Sequence, residues 1–536
     1  MWCRSQTSIR ATLRMNMSTE PSITPSDSVP LLSPVQGEST GSIPATPIAD
    51  LPTIIDKAKR AQEVWSKRTP TERAHVLKKV IRILHAKSDD FAQRISEANG
   101  KPVAESLVGE VYPTLATFRF FAKKGPRALR EQRIPVGAIP FAYSRLGFDP
   151  LGVIGVIAPW NYPFKLMLQD VPGALVAGNS VVIKVSEHSA AIGKLIEELL
   201  DASDFPKHLV QLVYGYGDLG EALVHSGINK IVFTGSSATG TKVYHAAAQA
   251  MIPATLEMGG KDAAIILEDA ELDDAARGIL WASLANSGQV CASVESIYCP
   301  ESMRSDFTER CRALLLALPS DSRGTMNTIF QKEKVCAQLD QAQAAGATIV
   351  ASTSDANPEN PYAMNATILT DVGKDSILHR EETFGPLVVI HGYENVDDVV
   401  EEINSGEYGL TASVWSGNRT RAREIAQRID SGVVTINDHL ITPGMPEIPW
   451  FGRKASGMGF SMSTMSLMTF SKMRHIFDDR GLVRYKFWRY PYDAAKMTWL
   501  KVFMDAEFAD SPLKRVTSFI RAMPAMLLKR NRRWDS

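Results

Sequence analysis

Through residues 51–99 the apolar positions recur at helical spacing. Leu77, Val80, Ile81 and Leu84 fall at i, i+3, i+4 and i+7, the stripe of a helix with one buried face. The run stops at Asn99-Gly100-Lys101-Pro102, a glycine then a proline, which predicts a helix end. From Leu151 the rhythm changes. Short unbroken apolar runs appear at Val153 to Ile157, Val181 to Ile183, Leu209 to Val213 and Ile231 to Phe233. They are separated by helical segments of about 10 to 15 residues. Strands apolar on both faces, alternating with helices, predict a parallel sheet covered on both sides. A second series follows, with strands expected at Ala263 to Leu267, Ser293 to Tyr298, Pro386 to Ile390, Ala412 to Trp415 and Gly432 to Ile436. The segment 131–149 has strand composition between helices and is expected to form a projecting hairpin. The pattern therefore predicts two α/β domains.

Length and charge narrow the class. A chain of 536 residues buries a large core and divides into two or three domains. Lys plus Arg and Asp plus Glu both number 59, so the total charge gives no argument for a nucleic-acid partner. Five cysteines without a CxxC pair exclude a disulfide framework and a structural zinc site, and fit a reducing compartment. No run of about 18 uncharged apolar residues exists to span a membrane.

The ends differ from the body. Ser, Thr and Pro make up 21 of the first 50 residues, the composition of a disordered leader. Arg4, Arg10 and Arg14 precede the first acid, Glu20, as in a mitochondrial transit peptide, although no clear amphipathic helix accompanies them. The last 51 residues carry 11 Lys/Arg and 5 Asp/Glu. Within them Leu513, Val516, Ile520 and Met523 share one helical face, a basic amphipathic helix suited to an anionic membrane surface or to packing on protein.

Candidate chemistry concentrates on a few turns. Cys291 lies in Ser287-Gly288-Gln289-Val290-Cys291, where Gly288 permits a tight turn and brings backbone N–H groups near a reacting carbonyl. A thiol attacks as its thiolate, so it needs a neighbour that favours that form. Glu257, ahead of Met258-Gly259-Gly260-Lys261, ends an expected strand and is a candidate general base. Asn161, in Pro159-Trp160-Asn161-Tyr162-Pro163, offers an amide donor to an oxyanion. Phe233-Thr234-Gly235-Ser236 opens a helix, whose N-terminus holds a phosphate readily. Lys184 and Glu187 close a strand; Glu187 is placed to accept from ribose hydroxyls and would repel a 2′-phosphate. Glu382 and Phe384, in Glu381-Glu382-Thr383-Phe384-Gly385-Pro386, suit a second ribose and a planar ring. Tyr162, Leu166 and Gln169 fall on one helical face that would line a substrate tunnel.

Taken together these segments, in this order, resemble the aldehyde dehydrogenase superfamily over roughly residues 55 to 475. Met258, Tyr162 and Val185 depart mildly from its usual Leu, Phe and Pro, and Phe451-Gly452 stands where Phe-Gly-Gly is usual. The resemblance implies a Rossmann-type dinucleotide-binding domain (51–130 and 150–258), an α/β catalytic domain (259–459) and a small β oligomerisation arm (131–149 and 460–478). A leader (1–50) and a basic tail (479–536) flank them. It implies Cys291 as nucleophile, Glu257 as activator of the hydrolytic water and Asn161 with the Cys291 N–H as oxyanion hole. It implies Trp160, Lys184, Glu187, Gly235, Ser236, Glu382 and Phe384 around NAD, with NADP as the other candidate, and no metal. The implied reaction is oxidation of an aldehyde to an acid through a thiohemiacetal and a thioester. Transfer of the thioester to coenzyme A, or a silent protein on the same fold, are the alternatives. A homodimer or homotetramer is expected. So is a cytoplasmic location, membrane-associated through the tail as in a fungal and plant branch, with mitochondria as the alternative.

Overall fold

The structure is a computed structural model that describes residues 27–136, 142–354, 357, 359–480, 486, 489, 490, 492 and 494–528. The chain divides into two compact units, Met1–Ala128 with Pro150–Lys472, and Leu129–Asp149 with Met473–Ser536.

The first unit holds two sheets. In one, the strand order is Gly457–Met458, Ala254–Glu257, Lys230–Thr234, Val153–Ile157, Ser180–Val185, Val210–Tyr214. All pair in parallel except the short Gly457–Met458, which runs antiparallel to Ala254–Glu257. Val182 and Ile231 are fully buried here, each contributing about 1.5–3 kcal/mol of transfer free energy. The other sheet has seven strands, ordered Thr348–Ser352, Thr367–Thr370, Leu387–Tyr393, Val294–Pro300, Asp262–Ile266, Thr411–Trp415, Val433–Ile436. Separate apolar clusters cover its two faces, one around Ile266, Ile279, Phe307 and Ile390, the other around Ile265, Val399 and Val414. The strands expected from the apolar runs all form. Thr348–Ser352 and Thr367–Thr370 were not legible, because Thr and Ser break both into short, partly polar segments.

The helices at 51–99 form as Leu51–Ser66, Pro70–Ala86 and Ser88–Asn99. Thr69 and Glu72 make a capping box that starts the second. Gly100, at φ 88°, ends the third in the left-handed region.

One expectation is corrected. Residues 28–44, inside the expected disordered leader, form an antiparallel hairpin, Ser28–Ser33 with Glu38–Pro44. Composition is blind to the contacts that order it. Val29 is buried, Ser33 Oγ donates to Glu97 O at 3.0 Å, Tyr216 Oη donates to Ser28 O at 2.9 Å, and Asn360 Nδ2 donates to Pro34 O at 2.9 Å. Residues 1–26, with Arg4, Arg10 and Arg14, lie outside the described residues.

The second unit contains a three-stranded sheet, ordered Ser471–Asp479, Ala142–Pro150, Gln132–Pro135. The last two pair antiparallel, as a hairpin would, with 137–141 outside the described residues. The third strand starts at Ser471, later than the expected arm boundary at 460. Two helices follow, Ala494–Phe508 and Pro512–Leu528. They meet through Val502, Phe503 and Ala522. Leu513, Val516, Phe519 and Ile520 of the second helix remain exposed. The side chain of Met523 and the basic run Lys529 to Arg533 lie outside the described residues. Among the described residues no helix is long and apolar enough to cross a membrane.

Candidate active site

Three strand ends of the first sheet deliver the first set of side chains. Val153–Ile157 leads into the turn bearing Asn161, Ser180–Val185 into Glu187, and Lys230–Thr234 into Gly235 and Ser236. In a parallel sheet this carboxyl edge is where ligands bind. Asn161 is buried, and its Nδ2 donates to Gln289 O at 3.0 Å. An amide carries two N–H donors, so one remains for another acceptor. The Asn161 backbone is itself anchored, because its carbonyl accepts from Lys101 Nζ at 2.8 Å.

Cys291 follows a short turn, Ala285–Gly288, in which Asn286, Ser287 and Gly288 sit at φ 51°, 55° and 70°. Three successive left-handed residues are strained for Asn and Ser, and the surroundings hold them there. Asn286 N donates to Glu105 Oε2 at 2.9 Å, and Gln289 Nε2 donates to Asn286 O at 2.8 Å. Gln289 Oε1 accepts from Asn327 N at 2.8 Å. A Cβ on Gly288 would lie 2.2 Å from Gly385 O, so the turn needs glycine for space as well as for φ. Cys291 packs with Tyr162 and Leu440 against Val290, Trp450 and Met462.

Glu257 ends the strand Ala254–Glu257 and is 4% exposed. Gln169 Nε2 stands 3.5 Å from its Oε1. Burial, then the neighbouring Asp170 charge, pushes Glu257 up to about 7. Burial also pushes Asp170 up to about 6, although Lys230, Ser461 and Lys165 oppose it. A carboxyl near 7 is an effective general base at neutral pH. The thiol of Cys291 is pushed up to about 12, first by burial and then by the Glu257 charge. Both Glu257 and Cys291 line one cavity of about 750 Å³.

That cavity also takes in Trp160, Asn161, Lys184, Glu187, Gly235, Ser236, Glu382 and Phe384. The structure thus brings Cys291, Glu257 and these eight residues to one hollow, whereas Tyr162, Leu166 and Gln169 do not line it. Lys184 Nζ pairs with Glu187 Oε2 at 3.0 Å. Burial works against the charged form of Glu187, yet Lys184 and His188 hold its carboxyl below the usual range. Ser236 caps the helix Ser237–Gln249, accepting from Thr239 N at 3.3 Å. Gly217, on the same wall, has nothing within 4 Å of its absent side chain, which leaves space for a close ligand. The rings of Trp160 and Phe384 meet edge to face, 5.4 Å apart. Glu382 Oε1 accepts from Gly260 N at 3.1 Å, and burial pushes Glu382 up to about 7. A hollow with an ion-paired carboxylate for ribose, a capped helix start for phosphate and an aromatic wall fits a dinucleotide. Among the described residues no group of three His, Cys, Asp or Glu is arranged to hold a metal ion.

Sequence reasoning missed the supports. Glu295, on the strand Val294–Pro300, accepts from Thr383 N at 2.9 Å and Phe384 N at 2.8 Å, and Lys261 Nζ pairs with it at 2.6 Å. It fixes the loop that carries Glu382 and Phe384, the latter at φ 54°. Lys101 and Glu110 form a fully buried ion pair at 2.6 Å, and Lys101 Nζ lies 3.8 Å from the centre of the Tyr162 ring. Asn99-Gly100-Lys101-Pro102 reads as a helix stop, and nothing in it announces a buried cation. Lys165 and Asp170, on either side of Gln169 in sequence, are both buried.

A model of the aldehyde dehydrogenase family matches residues 23–476. The 4,4'-diapolycopene aldehyde oxidase of Methylomonas sp is 34% identical over 494 residues, covering 90% of this chain and 92% of that protein. The betaine aldehyde dehydrogenase of Rhizobium etli is 32% identical over 459 residues, covering 83% and 93%. Among solved structures, the NAD-dependent aldehyde dehydrogenase from Sinorhizobium meliloti superposes with a TM-score of 0.81 at 29% identity, covering 86% of this chain and 93% of that one. PnpE in complex with nicotinamide adenine dinucleotide gives 0.80 at 29%, covering 84% and 94%. The hollow, with one cysteine in its wall, lies at the carboxyl edge of a parallel sheet, within one unit, and fits a dehydrogenase. The chain belongs to the aldehyde dehydrogenase family; it is an oxidoreductase that acts on aldehydes with a nicotinamide dinucleotide.

Proposed function

We propose that the chain oxidises an aldehyde to its carboxylic acid, with Cys291 as nucleophile, Glu257 as base and Asn161 as oxyanion donor. The observation that carries this reading is the cavity shared by a single thiol and a buried carboxyl near 7. Cys291, as its thiolate, adds to the aldehyde carbon and forms a C–S bond; the carbonyl oxygen becomes an oxyanion that accepts from Asn161 Nδ2 and the Cys291 N–H. When bound, the nicotinamide ring supplies the acceptor for the hydride leaving that carbon. Trp160 and Phe384 would wall the ring and Glu382 would hold its ribose. Lys184 and Glu187 would hold the adenosine ribose, and Gly235 with Ser236 the pyrophosphate. Glu257 takes a proton from water, whose oxygen attacks the thioester carbon. The C–S bond breaks, the acid leaves, and the thiolate is restored. The position of Glu257 favours water over coenzyme A as acceptor. In this reading the first sheet is the dinucleotide-binding domain and the second the catalytic one.

Glu187 favours NAD, since its charge repels a 2′-phosphate. Apolar walls favour a medium or long aliphatic aldehyde. A Cβ on Gly109 would lie 2.7 Å from the Tyr162 ring, and its neighbours Leu107 and Val108 are exposed, as is Ile441 beside Leu440. Tyr162 and Leu440 give the thiol apolar neighbours. A panel of aldehydes with NAD and NADP tests the reading. Wild type is expected to use NAD with kcat/KM rising from acetaldehyde to decanal, and Glu187→Ala to gain activity with NADP. Absence of aldehyde-dependent reduction of either cofactor would refute it, and a best rate with a short charged aldehyde would refute the substrate class.

The second unit supports assembly and surface contact. Met473, Ile476 and Phe477 are exposed on the strand Ser471–Asp479, an apolar edge that suits a second copy of this chain in a homodimer or homotetramer. On the helix Pro512–Leu528 the exposed Leu513, Val516, Phe519 and Ile520 are flanked by Lys514, Arg515 and Arg521, which suits an anionic lipid surface. The account expects sedimentation with vesicles rich in phosphatidylserine, and loss of it in a Leu513→Asp/Ile520→Asp double variant. Equal binding by that variant would remove the contact. A cytoplasmic location agrees with free thiols at Cys291, Cys299 and Cys311.

A further inference from the structure

Cys291 has a problem that its own turn does not solve. Burial raises its thiol, and the groups facing it are mostly acidic: Glu257 from the first sheet, Asp262 from the start of the second, and Glu382 from the loop after Arg380. Each of these disfavours the thiolate. Among the groups of largest influence on it, the one cation is Lys165.

Lys165 lies on the helix Pro163–Leu168, three residues after Tyr162, which packs with Cys291, and one turn before Gln169, which touches Glu257. Lys165 and Gln169, four apart with helical backbone, share a face. The side chain is 8% exposed, yet its ammonium has no hydrogen bond or ion pair with a described residue. Its backbone N–H alone is fixed, donating to Glu110 Oε2 at 2.8 Å. The other cations of the region are engaged: Lys101 with Glu110, and Lys230 with Thr255 Oγ1. A buried ammonium without a pair is costly, and burial does lower its proton affinity. What surrounds it is negative: Glu257, Cys291, Glu110 and Asp170, in that order of influence.

We infer that Lys165 is a positioning residue for the nucleophile: its ammonium favours the thiolate of Cys291 over the thiol in the resting enzyme. Glu257 and Glu382 are pushed up to about 7, so near pH 7 a share of the opposing negative charge is absent. This inference rests on Cys291 being the nucleophile, but its test needs no aldehyde.

The full-length enzyme is alkylated with iodoacetamide between pH 5.5 and 10, and labelling of the Cys291 peptide is followed by mass spectrometry. In Lys165→Met the rate at pH 7 is expected to fall by about tenfold or more, and the midpoint of the pH profile to rise by about one unit, the equivalent of tenfold. Lys165→Arg, which keeps the charge, retains most of the rate. A Lys165→Met profile coincident with wild type would overturn the inference. Should the Met variant not fold, as judged by thermal melting, Lys165→Gln carries the same comparison against Lys165→Arg, and equal profiles in those two would overturn it. Failure of the aldehyde reading would show instead as normal alkylation with no turnover.

Discussion

Cys291→Ala is expected to abolish aldehyde-dependent NADH formation, by a factor on the order of 10⁴ to 10⁶, the usual cost of removing a covalent nucleophile. Dinucleotide binding should survive. The residues proposed to face the cofactor hang on strand ends and on a capped helix start, and the bonds Lys184–Glu187, Thr239–Ser236 and Gly260–Glu382 do not pass through the Cys291 side chain. Ala is also the smallest change that removes sulfur from the apolar cluster with Tyr162 and Leu440. Quenching of tryptophan fluorescence by NAD, with Trp160 in the cavity wall, measures the second half of the statement. Loss of both binding and turnover would mean that the thiol has a structural role; unaltered turnover would remove it from the chemistry.

The second large effect concerns Glu257. Its substitution by Gln keeps the shape and removes the base, so hydrolysis of the thioester should slow by about 10²- to 10⁴-fold, the range for general-base loss. The earlier steps continue, and one equivalent of NADH per site should appear as a burst before a slow steady state. The wild-type enzyme should show the matching pH dependence. Only the ionised carboxylate accepts a proton, and burial followed by Asp170 raises Glu257 to about 7. The hydrolysis rate therefore falls as pH drops through 7, by about tenfold per unit once well below it. A burst-free, linear trace in Glu257→Gln with an unchanged steady state would contradict the assignment.

The turns that carry both residues were legible in the sequence, and the reason is local. Cys291 and Glu257 sit next to glycines that the backbone requires: Gly288 is at φ 70° against Gly385 O, and a Cβ on Gly259 would lie 2.2 Å from Glu382 Oε2. Turn chemistry of that kind is written in consecutive residues. The buried strands were equally plain, because a parallel sheet covered on both faces leaves unbroken apolar runs. What stayed hidden depends on residues far apart in the chain. Glu295 holds Thr383 and Phe384 across 88 and 89 positions. Lys101 reaches Asn161 across 60. A charged residue in a sequence reads as surface, and only the fold shows that Lys101, Glu110 and Lys165 are enclosed. The hairpin at 28–44 failed for the same reason, since its Ser- and Pro-rich strands are ordered by distant partners such as Asn360.

These supports give the site its rigidity. The Lys101–Glu110 pair is completely enclosed, and it holds the Asn161 carbonyl, the Tyr162 ring and, through Glu110 Oε2, the start of the helix bearing Lys165. Such a pair adds little net stability, but removing one partner leaves a buried charge and costs about 3–5 kcal/mol. One ion pair therefore registers Asn161, Tyr162 and the helix bearing Lys165 with respect to one another.

The most direct measurement is the mass of the enzyme caught in mid-reaction. Glu257→Gln is mixed with NAD and decanal, quenched in acid within the burst and digested. The account predicts that the peptide containing Cys291 gains the mass of one decanoyl group, that hydroxylamine removes it, and that the amount equals the NADH released in the burst. NADH released in the burst with the Cys291 peptide unmodified, or an acyl group found on another residue, would contradict it.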